Sequence, residues 1–278
     1  MEKLVLNSPA KINIGLNITK KRADGYHDLK TFFYPIYDLC DILTFEHSKN
    51  FIFNSNNLDL VKDPSNLILR AVTEIEKIIN RKISVKIFLE KIIPIGAGMG
   101  GGSSNAASTL MGLNEMFDLK ISSEKLKTAA LNLGSDVPFF IDSKPSVGSS
   151  RGEILELSKM YLEFPILIVN PGIHISTKEA FLNIIPKSPN FNYEYFLKNE
   201  KPDFTFLKNN LQNDFETYVF SKYSEIKAIK EILYKNGAVF SLMSGSGSTV
   251  YGIFNDLKEA EYVYELLPKK YFKFVSNP

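Results

Sequence analysis

Pro94-Ile95-Gly96-Ala97-Gly98-Met99-Gly100-Gly101-Gly102-Ser103-Ser104-Asn105-Ala106-Ala107 decides how this chain is read. Five glycines fall within residues 96–102, two serines follow, and apolar residues at 106, 110, 113 and 117 mark a helix directly behind them. Glycine has no Cβ, so successive backbone N–H groups can turn toward one point. The helix start adds unpaired N–H groups and the positive end of the helix dipole. Together they make an anion site suited to phosphates. No Gly-Lys-Ser/Thr follows, so the loop is not a Walker motif. Gly96, Gly98 and Gly101 formally satisfy G-x-G-x-x-G, but a dinucleotide site needs an acidic residue ending a strand about 20 residues on. Ser122 and Glu124 stand there and read as a helix start.

The other elements build outward from this loop. Ile83 to Leu89 reads as a strand running into it. Asp63-Pro64 reads as the cap and first residue of a helix with an apolar stripe at Leu67, Ala71, Ile75 and Ile78. Ile12, Ile14, Leu16 and Ile18 alternate with Lys11, Asn13, Gly15 and Asn17, the pattern of a half-buried strand. Residues 21–25 read as a turn, and Tyr26 to Tyr37 as an extended run. Ser122 to Leu133 reads as a helix stopped by Gly134. Pro165 to Val169 reads as a strand, and Ser176 with Glu179 as a capping box opening a short helix. Residues 186–213 read as a loop with short elements. Ile226, Ile229 and Leu233 mark a helix ending at Gly237; residues 239–243 and 249–254 form a hairpin, and 256–267 a last helix. Strands and helices mix without βαβ alternation, which favours an α+β fold.

Composition excludes several classes. The 278 residues are 44% hydrophobic and 23% charged, a balance that rules out wholesale disorder. A net charge of +2 argues against a nucleic-acid binder. Cys40 is the lone cysteine, so neither a disulfide framework nor a cysteine-based zinc site is expected. His47 and His174 have no partners at metal-ligand spacing, and no metal-ligating residues are assigned. The longest apolar run, Phe164 to Val169, is too short to span a bilayer, and residues 1–11 lack a signal-peptide stretch. The expectation is a cytoplasmic protein, a monomer or homodimer, acting on a small molecule.

Three further groups could carry chemistry. Period-two geometry puts Lys11 and Asn13 on one polar strand face, able to hold a hydroxyl or a phosphate or simply to be solvated. Asp136, between a helix end and Pro138-Phe139-Phe140, reads as a partly buried carboxylate, either a turn cap or a base paired with a lysine. Met243-Ser-Gly-Ser-Gly-Ser-Thr249 is a second Gly/Ser loop, readable as a hairpin turn. Tyr26 and His27 directly follow the Asp24-Gly25 turn.

Taken in this order, the segments resemble the GHMP kinase superfamily. The matching runs are SPAKINIGL (8–16), RADGYHDLKT (22–31), PIGAGMGGGSSNAAS (94–108), LGSDVPFF (133–140), RGEIL (151–155), ISTKEAF (175–181), NDFE (213–216) and MSGSGSTVYGIF (243–254). RADGYH points to a branch that phosphorylates a cytidine diphosphate-linked methylated polyol on the way to isoprenoids. Ser150 stands where that branch usually has Gly. The resemblance implies a two-domain α+β fold, residues 1–160 and 161–278, with the substrates in the cleft between and the last residues returning to the N-terminal domain. It implies ATP and Mg²⁺.

Residue by residue, Asp136 matches the catalytic Asp, Lys11 the Lys beside it, and Asn13 a substrate-positioning Asn. Pro94, Gly96, Ala97, Gly98, Met99, Gly100, Gly101, Gly102, Ser103 and Ser104 match the loop that holds the ATP phosphates. Asn66 and Lys91 match positions flanking the nucleotide base. Tyr26, His27, Thr177 and Phe181 match groups at the cytidine, and Ser246 belongs to the third family motif. A decarboxylase or homoserine kinase of the same fold, or a non-catalytic ligand-sensing relative, are the alternatives. The first two have substrates without a base, and the last need not keep Lys11 and Asp136.

Overall fold

Two long strands carry the first part of the chain in this computed structural model, which describes residues 2–277. The strands are β1 (Lys3–Lys21), β2 (His27–His47), β3 (Ile52–Ser55), β4 (Val85–Glu90), β5 (Ser146–Ser149), β6 (Ile154–Leu157), β7 (Ile166–Asn170), β8 (Phe240–Met243), β9 (Val250–Ile253) and β10 (Phe272–Ser276). The helices are α1 (Leu58–Lys62), α2 (Leu67–Ile79), α3 (Gly101–Met116), α4 (Ser123–Leu133), α5 (Phe139–Asp142), α6 (Thr177–Leu182), α7 (Tyr195–Lys198), α8 (Phe204–Asn210), α9 (Phe215–Lys222), α10 (Ser224–Lys235) and α11 (Leu257–Leu266). The fold is α+β. No helix among the described residues is long and apolar enough to cross a membrane.

The chain divides into two units that are not contiguous in sequence. The first comprises residues 1–10, 39–95 and 100–143; the second comprises 11–38, 96–99 and 144–278.

In the first unit, β4 pairs antiparallel with the second half of β2 and parallel with β3. Helices α2 to α5 pack against one another. Helix α3 is buried on most of its circumference, because Ala106, Ala107 and Gly112 leave room for close neighbours. A Cβ on Gly112 would come 2.7 Å from the Phe45 ring. Helix α4 starts and ends as its sequence predicts: the Ser122 hydroxyl accepts the Lys125 N–H, and Gly134 is the C-cap.

Helix α2 starts later than expected. Asp63 is the C-cap of α1 rather than the N-cap of α2; its carboxylate accepts the Ser65 N–H at 2.8 Å and the Ser65 hydroxyl at 2.6 Å. That closes a tight turn around Pro64. Asn66 then caps α2, its Oδ1 accepting the Ile68 N–H at 2.9 Å.

In the second unit, β10, β7, β9 and β8 form an antiparallel sheet in that order. The expected hairpin is β8–β9, with Met243 opposite Val250. Helices α10 and α11 pack on this sheet, over a core that includes Leu16, Leu167, Phe215, Ile229, Val250 and Phe254. The first half of β2 pairs with β5, and β5 with β6. The last strand, β10, was not expected; it joins β7, and the Ser276 hydroxyl donates to Asp38 at 2.7 Å.

Candidate active site

In the first unit, the second half of the glycine loop becomes a helix start. Gly100 is the N-cap of α3, with φ 70° and no side chain capping it. No side chain caps the N–H groups of the first turn, and Gly102 is exposed beside them. Ser103 is half-buried in this turn, and Ser104 is buried, accepting the Ser8 hydroxyl at 2.9 Å.

Lys91 and Asn66 are drawn into the frame of this turn. The Lys91 ammonium, its side chain 7% exposed, pairs with Asp41 at 2.7 Å and donates to the Ile93 carbonyl. Burial pushes the Lys91 amine below its ordinary value, against the opposing pull of the Asp41 charge. Asp41 is fully buried and accepts the Ile92 and Ile93 N–H groups at 2.7 and 2.8 Å and Asn105 Nδ2 at 2.9 Å. This one carboxylate ties the end of β4 to α3. Asn66 spends its side chain on the α2 cap and on the Leu60 carbonyl at 2.9 Å. Asp136 sits half-buried in the turn between α4 and α5, with buried Val137, Phe139 and Phe140 directly behind it.

In the second unit, the polar face of β1 is buried. Lys11 is 3% and Asn13 2% exposed, so the expected half-buried strand is closed on both faces. The reason is that residues 97–99 and 244–251 cover the polar side. The Lys11 N–H donates to the Met99 carbonyl at 3.0 Å and the Thr249 N–H to the Ala97 carbonyl at 3.3 Å. Lys11 Nζ donates to Asn13 Oδ1 at 2.5 Å and lies 5.2 Å from the Phe33 ring centre. Asn13 Nδ2 donates to Thr31 Oγ1 at 2.9 Å. The Ser244 hydroxyl accepts the Asn13 N–H at 3.1 Å and donates to the Gly98 carbonyl at 2.8 Å. Gly98 has φ +77°, and any Cβ there would strike the Ser244 carbonyl oxygen, so this contact admits only glycine.

A second group in this unit is aromatic. His27 stacks on Phe181, ring centres 5.0 Å apart, and Phe181 meets Phe215 edge-on at 4.9 Å. Burial, then the nearby Lys21 charge, hold the His27 imidazole below its ordinary value, which keeps it neutral at pH 7. Tyr26 is 54% exposed under the Arg151 guanidinium at 4.8 Å. The Thr177 and Ser246 hydroxyls share a hydrogen bond at 3.0 Å, and Ser176 caps α6 by accepting the Glu179 N–H. Ser150 has φ +60°, the left-handed region that favours glycine. Its hydroxyl accepts from Arg22 at 3.2 Å and donates to Glu153 at 3.1 Å, so serine gains bonds there that glycine lacks.

Within the second unit, then, Lys11, Asn13, Ala97, Gly98 and Met99 share one hydrogen-bonded group with the 244–249 loop, while the other expected residues meet in separate pairs: His27 with Phe181, Thr177 with Ser246, and Tyr26 with Arg151. Within the first, Lys91 lies beside the α3 start, and Asn66 caps the helix that packs on α3. Motif reading quoted the runs that contain Thr31 and Ser244 without giving either residue a role of its own, and it missed Asp41. Asp41 had a signal: it shares a period-two face with Leu39, Leu43 and Phe45, all buried, where a charge demands a partner.

Residues 66–144 match the GHMP kinases N terminal domain and residues 200–273 the GHMP kinases C terminal domain. A 4-diphosphocytidyl-2-C-methyl-D-erythritol kinase of Bacteroides fragilis is 41% identical over 251 residues, 88% of this chain and 90% of that protein. One of Clostridioides difficile is 38% identical over 279 residues, 98% of this chain and 93% of that protein. The crystal structure of a 4-(cytidine 5'-diphospho)-2C-methyl-D-erythritol kinase is similar with a TM-score of 0.83 at 29% identity, over 98% of each chain. A homoserine kinase from Cytophaga hutchinsonii, TM-score 0.77 at 15% identity over 99% of this chain and 95% of that one, shares the fold.

Proposed function

The chain belongs to the GHMP kinases, within the group of 4-diphosphocytidyl-2-C-methyl-D-erythritol kinases, and from that premise we propose how its residues carry out the reaction. The protein phosphorylates the 2-hydroxyl of 4-diphosphocytidyl-2-C-methyl-D-erythritol with ATP, giving the 2-phosphate and ADP, in the methylerythritol phosphate route of isoprenoid biosynthesis. The observation that carries the residue assignment is the bonded chain from Asn13 through Ser244 to Gly98, which ties the expected alcohol-positioning group to the expected phosphate loop.

The tertiary hydroxyl attacks the γ-phosphorus as the bond to ADP breaks. Asp136 takes the hydroxyl proton late in the transfer, and Lys11 stabilises the charge on the moving group. The glycine loop and the α3 start bind the phosphates through backbone N–H groups. Asn66 and Lys91 keep helix α2 and the β4 end in place beside the nucleotide. Mg²⁺, when bound, would supply further neutralisation of the phosphates that the backbone N–H groups hold. The two domain matches fall on either side of residue 160, the boundary read from the sequence, whereas the two structural units interleave along the chain. A cytoplasmic monomer or homodimer remains the reading from sequence.

Phe181, half-buried, stacks the cytosine, and neutral His27 donates a hydrogen bond to it. Uracil reverses the donor and acceptor at its C4 and N3 positions. The uridine analogue is therefore a poorer substrate, by ~1–3 kcal/mol in kcat/KM for each buried group left unpaired. Phe181→Ala raises KM for the cytidyl substrate, at ~1–3 kcal/mol for a lost stacking contact, and leaves KM for ATP unchanged. The check is steady-state kinetics on both nucleotides beside a melting curve. A fall in Tm with unchanged cytidyl KM would make Phe181 a core residue only.

A further inference from the structure

Asn213-Asp214-Phe215-Glu216 matched a family run but has no part in the roles above, yet its polar side chains are all engaged within the second unit. Asn213 is 2% exposed. Its Nδ2 donates to the Met243 carbonyl at 2.7 Å and the Gly245 carbonyl at 2.8 Å, and its Oδ1 accepts the Phe215 N–H at 3.0 Å. Both amide hydrogens and the oxygen are thus spent. Glu216 Oε1 accepts the Met243 N–H at 2.9 Å, so residues 213 and 216 grip the start of the 244–249 loop from its carbonyl and its amide side. Asp214 faces elsewhere, accepting the Ile18 N–H at 2.8 Å and Asn17 Nδ2 at 3.0 Å on β1.

Two carbonyls two residues apart converge on Asn213 because Gly245 turns the loop with φ +58°. Only a group with at least two donors can satisfy both. An ammonium or guanidinium would bring an unpaired charge into a buried place, so the neutral carboxamide is the suitable choice. Ser244 lies between those two carbonyls, and it bonds both the Asn13 N–H and the Gly98 carbonyl.

We propose that Asn213 is a positioning residue for phosphoryl transfer: by holding the Met243 and Gly245 carbonyls it sets Ser244, and through it the relative placement of Asn13 and Gly98. The proposal rests on the kinase reading above. A looser 244–249 loop leaves the His27–Phe181–Phe215 ring stack, which lies off the loop, in place but lets the alcohol-positioning strand and the phosphate loop drift apart, so the loss falls mainly on kcat.

The test is steady-state kinetics, with melting curves, of the full chain as wild type, Asn213→Ala, Asn213→Ser and Asp214→Asn. A misplacement of about 1 Å can cost about 100-fold, so Asn213→Ala is expected to lose about 10–100-fold in kcat. Its KM for the cytidyl substrate stays within about threefold, the split that marks an interaction made at the transition state. Asn213→Ser, with one donor left, falls between. Asp214→Asn keeps kcat within about threefold even where Tm drops, since its bonds lie outside the loop. Asn213→Ser serves alone if Asn213→Ala does not fold. The proposal is overturned by Asn213 variants that turn over normally, by a loss confined to KM, or by an equal kcat loss in Asp214→Asn. A wild type that does not phosphorylate the cytidyl substrate overturns the kinase reading, and this proposal with it; an active wild type with unimpaired Asn213 variants overturns this proposal alone.

Discussion

Asp136→Asn lowers kcat by about 10²–10⁴-fold, the usual cost of removing a general base. The amide is near-isosteric and cannot take the hydroxyl proton. The fold survives, because the turn is held by buried Val137, Phe139 and Phe140 and by backbone bonds from Val137 to Gly134 and Phe140 to Val137. Melting temperature and KM for ATP should therefore stay near wild type. Lys11→Ala also lowers kcat, and the double variant loses less than the product of the two single losses if both act on one transferring group. Turnover of ADP in a coupled assay decides it. Near-normal kcat in a folded Asp136→Asn would remove the base from this position.

Asp41→Ala destabilises the protein by about 3–5 kcal/mol, the range for leaving one member of a buried ion pair alone. It leaves the Lys91 ammonium, the Ile92 and Ile93 N–H groups and Asn105 Nδ2 without their shared acceptor. At about 2–4 °C per kcal/mol, Tm falls by about 6–20 °C. Burial already pushes Lys91 below its ordinary value; without Asp41 the opposing pull is gone and the shift grows. Between the lowered folded value and the ordinary unfolded one, the unfolded chain binds more protons, so stability rises with pH. Asp41→Ala should therefore regain stability relative to wild type as pH rises toward the ordinary lysine value. Adding Lys91→Met removes the stranded charge and restores part of the loss. Calorimetry on the single and double variants tests this, and a single-variant loss below about 1 kcal/mol would mean the pair adds little, as exposed pairs do.

Much of the local structure was legible in the chain. Gly100 to Ser104 opening α3, Ser122 capping α4, Gly134 ending it, Ser176 capping α6 and the β8–β9 hairpin all follow from partners within four residues or one turn. A glycine's freedom, a cap's side-chain oxygen and a period of apolar residues act over that range, so they can be read without knowing what packs nearby. One local misreading, Asp63 for Asn66, set two equally local options against each other, a two-residue side-chain turn and a helix cap.

The polar face of β1 is different in kind. Lys11 and Asn13 alternate with isoleucines as on any solvated strand, and nothing within reach in sequence marks them as buried. Their surroundings come from Ser244, 231 residues beyond Asn13, and that serine also holds Gly98, 146 residues before it. The same holds for Asn213, whose two acceptors lie 30 and 32 residues on. Short-range pattern reports which backbone conformation a segment adopts. It does not report which polar groups will lose water, because desolvation depends on segments that meet only when the chain is folded, and their meeting turns an ordinary Lys, Asn or Asp into one whose every hydrogen bond is assigned.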